Sequence, residues 1–104
     1  MKFPMGDDMK RDDIVWVLRR YKESNRRKYG IRKMGFFGSA ARGAIFPDSD
    51  LDVVVELEKQ DLFHLIGIKQ DLEAAFSQKV DIVSYRERMN DFLKKRIDQE
   101  AIYV

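Results

Sequence analysis

Two periods alternate along the chain. Ile14, Val17, Leu18 and Tyr21 recur every three or four residues, which puts them on one face of a helix. Asp7, Asp8, Asp12 and Asp13 stand at its start, where negative charge suits the helix dipole; basic residues crowd its end, and Gly30 supplies the stop. From about Ile31 to Phe37 the chain reads as a strand, with Met34-Gly35-Phe36-Phe37 its buried part. A second strand follows, in which Leu51, Val53, Val55 and Leu57 alternate with Asp50, Asp52, Val54 and Glu56. Asp61 is placed to cap a helix whose inward stripe is expected to be Leu62, Leu65, Ile66, Lys69, Leu72 and Phe76. Lys79 to Ser84 is a third strand, and Arg88 to Asp98 a last helix with Met89, Phe92, Leu93 and Ile97 inward. The tail Ala101-Ile102-Tyr103-Val104 is too apolar for a free end and should pair as an edge strand or pack on a partner. The pattern predicts an α/β fold, a small mixed sheet with helices packed on it, in a single domain over 1–104 with residues 1–8 a loose lead. Strand order does not follow from it.

Between the first two strands lies the segment richest in chemistry. Gly38 permits a sharp turn with positive φ, and Ser39 is expected to cap a short helix whose N–H groups would favour an anion. Arg42 adds a forked cation one turn in, and Gly43, Pro47, Asp48 and Ser49 mark a loop. Asp50 and Asp52 are two apart on a strand and share a face. Carboxylates that close repel each other unless a cation lies between them. Mg²⁺ suits the pair, since it takes oxygen ligands and often only one or two protein carboxylates beside phosphate oxygens. Asp81 is unusual within the apolar run Lys79-Val80-Asp81-Ile82-Val83. If that strand lies beside the second, Asp81 joins Asp50 and Asp52 and can take a proton from an attacking hydroxyl.

Gly38-Ser39-Ala40-Ala41-Arg42-Gly43 followed by Ser49-Asp50-Leu51-Asp52 resembles the signature of the nucleotidyltransferase superfamily with a polymerase-beta-like fold, and within it the minimal nucleotidyltransferase group. The similarity runs over nearly the whole chain, from the leading amphipathic helix to Glu100-Ala101-Ile102-Tyr103-Val104. The resemblance implies that Asp50, Asp52 and Asp81 form a metal-binding catalytic triad, and that Gly38 and Ser39 contact nucleotide phosphates with Arg42 and Ser49 beside them. It implies ATP as substrate, Mg²⁺ as cofactor, and a cognate HEPN-domain toxin, an RNA-cleaving protein, as partner. Members of the group silence the toxin by attaching AMP to a toxin tyrosine or by binding it. Ile45 and Phe46 depart from the more polar loop usual in the group, which points to a partner contact there.

Composition narrows the class. The chain has 104 residues and no cysteine, so it has no disulfide framework and no thiolate metal site. No stretch approaches the ~20 apolar residues of a membrane span, and the start lacks a signal-peptide core, so a cytoplasmic protein without a membrane partner is expected. A net charge of +2 is too small to argue for nucleic acid. Arg19, Arg20, Lys22, Arg26, Arg27, Lys28, Arg32 and Lys33 nevertheless crowd one segment, either as a solvated face or as a patch that steers ATP or an acidic partner. That patch leaves direct nucleic-acid binding open as a lesser reading.

Several side chains have plain roles. His64 should be packed or solvent-tipped rather than a ligand, Tyr85 and Tyr103 should pack rather than accept AMP, and Trp16 should lie in the core. Arg42 has a local salt bridge as its alternative role. The leading reading is a nucleotidyltransferase moving AMP from ATP to a toxin hydroxyl. A non-catalytic antitoxin and a small-molecule, aminoglycoside-type nucleotidyltransferase are the alternatives. The short chain leaves little room for an acceptor domain of its own, so homo- or hetero-oligomers are open.

Overall fold

The computed structural model describes residues 9–43, 45 and 49–104. Expectations for Asp7, Asp8, the lead over 1–8, Phe46, Pro47 and Asp48 lie outside those residues. The described chain forms α1 (Arg11–Tyr29), β1 (Ile31–Phe37), β2 (Leu51–Leu57), α2 (Leu62–Phe76), β3 (Val80–Ser84), α3 (Asp91–Glu100) and β4 (Ile102–Tyr103). The sheet order is β3-β2-β1-β4. β1 pairs antiparallel with β2 and with β4, and β2 pairs parallel with β3. The sheet is therefore mixed, and the apolar tail is an edge strand.

Alternation decides which face each strand gives to which helix. Leu51, Val53, Val55 and Leu57 of β2 join Ile31, Met34 and Phe36 of β1 in the main core, with Ile14, Val17 and Leu18 of α1 and Ile68, Leu72 and Phe76 of α2. Each such side chain contributes about 1.5–3 kcal/mol by leaving water. The other face carries a smaller core of Phe37, Val54 and Ile97, flanked by Val83, Met89 and Leu93, under α3. Val54, which shares Asp52's face by period two, is therefore packed on α3's side of the sheet.

Local signals set most element ends. Gly30 closes α1 in the left-handed region at φ 65°. Asp61 caps α2 by accepting the Phe63 and His64 backbone N–H groups at 2.8 and 3.2 Å. Asn90 caps α3 by accepting the Leu93 N–H at 3.0 Å, so that helix starts later than the apolar spacing alone predicts. His64 lies edge-on to Tyr29 with ring centroids 5.4 Å apart while its side chain is 37% exposed, a solvent-tipped ring.

Four packing expectations are overturned, one of them on β4, where Tyr103 is 45% exposed. The inward stripe of α2 is Leu65, Ile68, Leu72, Ala75 and Phe76, whereas Leu62, Ile66 and Lys69 are exposed. The two stripes share Leu65, Leu72 and Phe76, but at ~100° per residue their other members lie on opposite flanks of that line, and the sheet sees the flank of Ile68 and Ala75. Phe92 is 75% exposed because the line that meets the sheet is Met89, Leu93 and Ile97, one position round from it. Trp16 is 46% exposed, opposite the Ile14–Leu18 stripe, and lies against the Arg20 guanidinium at 5.3 Å. Among the described residues no helix is long and apolar enough to cross a membrane.

Candidate active site

The end of β1 and the starts of β2 and β3 meet at one edge of the sheet. Phe37 pairs with Asp52, and Asp52 pairs with Asp81 across the parallel β2–β3 ladder. Residues paired in a parallel ladder point to the same face, so both carboxylates stand on α3's side of the sheet, about 4.8 Å apart along the pairing direction. Asp50, exposed, precedes Leu51 and by alternation shares that face. The start of β2 is held in place from below. The Gln78 amide donates to the Ser49 carbonyl at 2.7 Å, and the Leu51 N–H donates to the Lys79 carbonyl at 2.9 Å.

Gly38 turns the chain over this edge with φ 74°. A Cβ there would collide with Asp52 Oδ2, so glycine is required both by the backbone and by the carboxylate beside it. The short helix expected after Ser39 is not formed. The Arg42 N–H bonds the Gly38 carbonyl at 3.2 Å and the Gly43 N–H bonds the Ala40 carbonyl at 3.1 Å, after which Gly43 at φ 91° stops the helical path. Ser39 therefore caps no helix, and the anion-attracting groups are single donors rather than a helix dipole. The Arg11 guanidinium, donating to the Ala41 carbonyl at 2.9 Å, ties this turn to α1.

Asp52 is the electrostatic centre. Its carboxyl is held above the ordinary range, first by burial and then by the Asp81 carboxylate, with Asp50 adding to the effect; Arg96 and Arg42 pull the other way. The excess negative charge and the hard oxygen donors fit a divalent cation such as Mg²⁺. Among the described residues no three His, Cys, Asp or Glu side chains close into a metal-holding group. Asp50, Asp52 and Asp81, which the resemblance makes a metal-binding triad, form a row across the starts of β2 and β3. That suits an ion that takes one or two protein carboxylates and fills its shell with phosphate and water.

α3 brings two residues that the sequence patterns passed over. Glu100 accepts the Gly38 N–H through Oε2 at 3.2 Å and the Arg42 guanidinium through Oε1 at 2.9 Å. Arg96, one turn earlier, lies 3.8 Å from Glu100 and 5.7 Å from the Phe37 ring. A signal for Glu100 existed, since a carboxylate in the last turn of a helix opposes the dipole and needs another reason to be there. Nothing in the spacing singled out Arg96. Arg42's salt bridge is not the local one that was its alternative role, because its partner Glu100 lies 58 residues away.

A family model described as nucleotidyltransferase domain matches residues 18–104. Protein adenylyltransferase MntA of Thermococcus cleftensis is 32% identical over 94 residues, which cover 89% of this chain and 94% of that protein. A solved structure described as a minimal nucleotidyltransferase superposes with a TM-score of 0.74 at 33% identity, covering 93% of this chain and 98% of the other. A chain in the complex of the tri-AMPylated Shewanella oneidensis HEPN toxin with MNT antitoxin superposes with a TM-score of 0.58 at 19% identity, covering 89% of this chain and 66% of the other, a likeness of fold. The chain that sets this glycine turn against a row of aspartates thus belongs to the nucleotidyltransferase family.

Proposed function

We propose that this protein is a Mg²⁺-dependent protein adenylyltransferase that moves AMP from ATP to a hydroxyl, that of a tyrosine, on a HEPN-type ribonuclease toxin and thereby acts as its antitoxin. One observation carries the reading: the Gly38 turn and the Arg42 guanidinium stand against the Asp52–Asp81 pair at a single sheet edge. Phosphate donors and charge-holding carboxylates side by side are what nucleotidyl transfer needs, because its catalysis is mostly positioning and neutralisation. The protein-adenylyltransferase relative and the AMPylated toxin in the Shewanella complex supply the acceptor class. The reaction draws on ATP, and we assign it to the cytoplasm.

In this reading Gly38, Ser39, Arg42 and Ser49 surround the triphosphate, with the Gly38 N–H and the Arg42 guanidinium as its donors. Asp50 and Asp52 hold Mg²⁺, which when bound offsets phosphate charge. Asp81, exposed beside Asp52, takes the proton of the acceptor hydroxyl. The hydroxyl oxygen bonds to the α-phosphorus while the bond from that phosphorus to the bridging oxygen breaks. AMP stays on the acceptor, and pyrophosphate leaves with the electron pair.

The test mixes this protein, ATP and Mg²⁺ with the product of the neighbouring gene and weighs both proteins by intact-mass spectrometry. Addition of AMP, or a small multiple of it, to the neighbour by the wild type but not by Asp50→Ala or Asp52→Ala is expected. A stable complex with no mass gain would replace this reading with a binding antitoxin. AMP on a small acceptor with no partner protein present would replace it with a small-molecule enzyme.

A further inference from the structure

Glu100 sits where an anion belonging to the substrate is expected. Its two oxygens bridge a backbone N–H and a guanidinium, at 3.2 and 2.9 Å, as a phosphate oxygen pair would. The donors it holds, Gly38 N–H and Arg42, are the two that the proposed function gives to the nucleotide. An N–H that donates to a carboxylate at this distance has no second hydrogen to offer, so Glu100 and a phosphate cannot both use Gly38. A carboxylate in the last turn of α3 is also disfavoured by that helix's dipole, and no basic residue stands in the turn to offset it.

Another station is within reach. Arg96 lies one helical turn before Glu100, its Nη2 3.8 Å from Glu100 Oε2, and its charge also acts on Asp52. The Glu100 side chain is 26% exposed, so it has open space in which to change rotamer. Turning toward Arg96 would free Gly38 and Arg42 without leaving the carboxylate unpaired.

We propose that Glu100 is an internal competitor for nucleotide phosphate. Its carboxylate holds the Gly38 N–H and the Arg42 guanidinium until a triphosphate displaces it toward Arg96, and this exchange sets the affinity for ATP. The inference rests on the nucleotide site assigned above, and it adds to that site a residue that weakens binding rather than supporting it. It separates two roles with opposite signs: a competitor weakens ATP binding, whereas a positioning residue that aims Arg42 strengthens it.

The experiment is isothermal titration of the full chain with ATP and Mg²⁺, comparing the wild type with Glu100→Gln and Glu100→Ala, after thermal unfolding shows that each folds. Asp98→Asn is the control. It removes the same charge from the same helix, but Asp98 accepts the Tyr85 hydroxyl at 2.9 Å and touches neither donor. Losing one charge-assisted competitor is expected to tighten ATP binding about five- to tenfold in both Glu100 variants, and by less than about twofold in the control. Inorganic tripolyphosphate should show the same order, because the exchange concerns the phosphates alone. Unchanged or weaker binding in both Glu100 variants, with the wild type still binding, would overturn the inference and make Glu100 a positioning residue. An equal gain in Asp98→Asn would also overturn it, by reducing the effect to net charge. Absence of ATP binding in all four proteins would instead sink the nucleotide site, and the inference with it. If neither Glu100 variant folds, Arg42→Gln decides by thermal unfolding in ATP and Mg²⁺. With Glu100 left holding Gly38 alone, the competitor predicts a smaller loss of ATP-induced stabilisation than a directly used, uncontested Arg42 would, about threefold in affinity against tenfold or more.

Discussion

Replacing Gly38 by alanine should harm this protein in two separable ways. The first is backbone strain: at φ 74° an L-residue is held in the left-handed region, at about 1–2 kcal/mol. About 0.4–1 kcal/mol of that is returned because alanine narrows the unfolded ensemble. The second is collision, since the new Cβ would overlap Asp52 Oδ2 and stand 3.3 Å from Cγ. Overpacking of that kind costs about 1–3 kcal/mol. The sum is roughly 2–4 kcal/mol, a fall in Tm of roughly 10–25 °C for a domain of this size. Gly43→Ala is the internal control. Gly43 also has a positive φ, 91°, but a Cβ there meets nothing within 4 Å. It should lose only the strain, about 1 kcal/mol net or about 4–8 °C. Thermal unfolding of both variants, and of Gly38→Ala in an Asp52→Ala background, measures the difference as a coupling of about 1–3 kcal/mol. Adenylylation of the partner should fall at least about 100-fold in Gly38→Ala, because a carboxylate moved by an ångström no longer meets the substrate. Equal losses of stability in Gly38→Ala and Gly43→Ala, or no coupling to Asp52, would refute the reasoning.

Asp52→Asn should abolish transfer yet unfold at a higher denaturant concentration than the wild type at pH 7. The folded carboxyl is held above its ordinary value of 3.8, so between that value and the raised one the folded state binds more protons than the unfolded. Stability from this group is therefore lost as pH rises through the window, and the amide avoids that loss. Asp61→Ala removes the cap that holds two N–H groups of α2 and should cost about 1 kcal/mol, measured as a shift in urea midpoint. Phe76→Ala, at a fully buried position, should cost about 3–5 kcal/mol. Phe63→Ala, at a position 82% exposed, should change stability by less than about 0.5 kcal/mol in the same assay.

The order of elements was legible because each carries a local instruction. The alternation of Leu51 to Leu57, the Asp61 cap and the Gly30 stop act through their own backbone and need no tertiary partner to be read. The failures share a different character. Leu62, Ile66, Phe92 and Trp16 are apolar and fall at helical spacing, yet a helix with apolar residues on more than one face has more than one candidate stripe. The sheet, which the sequence does not display, selects among them. Likewise the Gly38–Gly43 turn carries the composition of a helix start, but Gly43 ends it after one turn. Asp52 and Asp81 could be paired only conditionally from sequence, because their closeness depends on β3 lying parallel to β2. Glu100 lies 62 residues from Gly38, and its bond to that N–H follows from α3's packing rather than from any nearby spacing.

Topology, more than any single residue, makes the site. β2 and β3 are parallel because α2 carries the chain back over the sheet, so both strands begin at the same edge and their first aspartates become neighbours. Had β3 returned as a hairpin, Asp81 would lie at the far end from Asp52. β1 runs antiparallel to β2, so its last residues, not its first, reach that edge, and the glycine turn leaves the sheet directly beside Asp52. Register matters as much as direction. A slip of one residue in β2 would send Asp52 into the main core and Val53 out toward α3. The apolar residues on both faces oppose that slip, since Leu51, Val53 and Val55 are buried on one side and Val54 on the other. The same alternation that stabilises the sheet therefore fixes the carboxylates on one face of it, and the candidate site follows from packing that would be needed in any case.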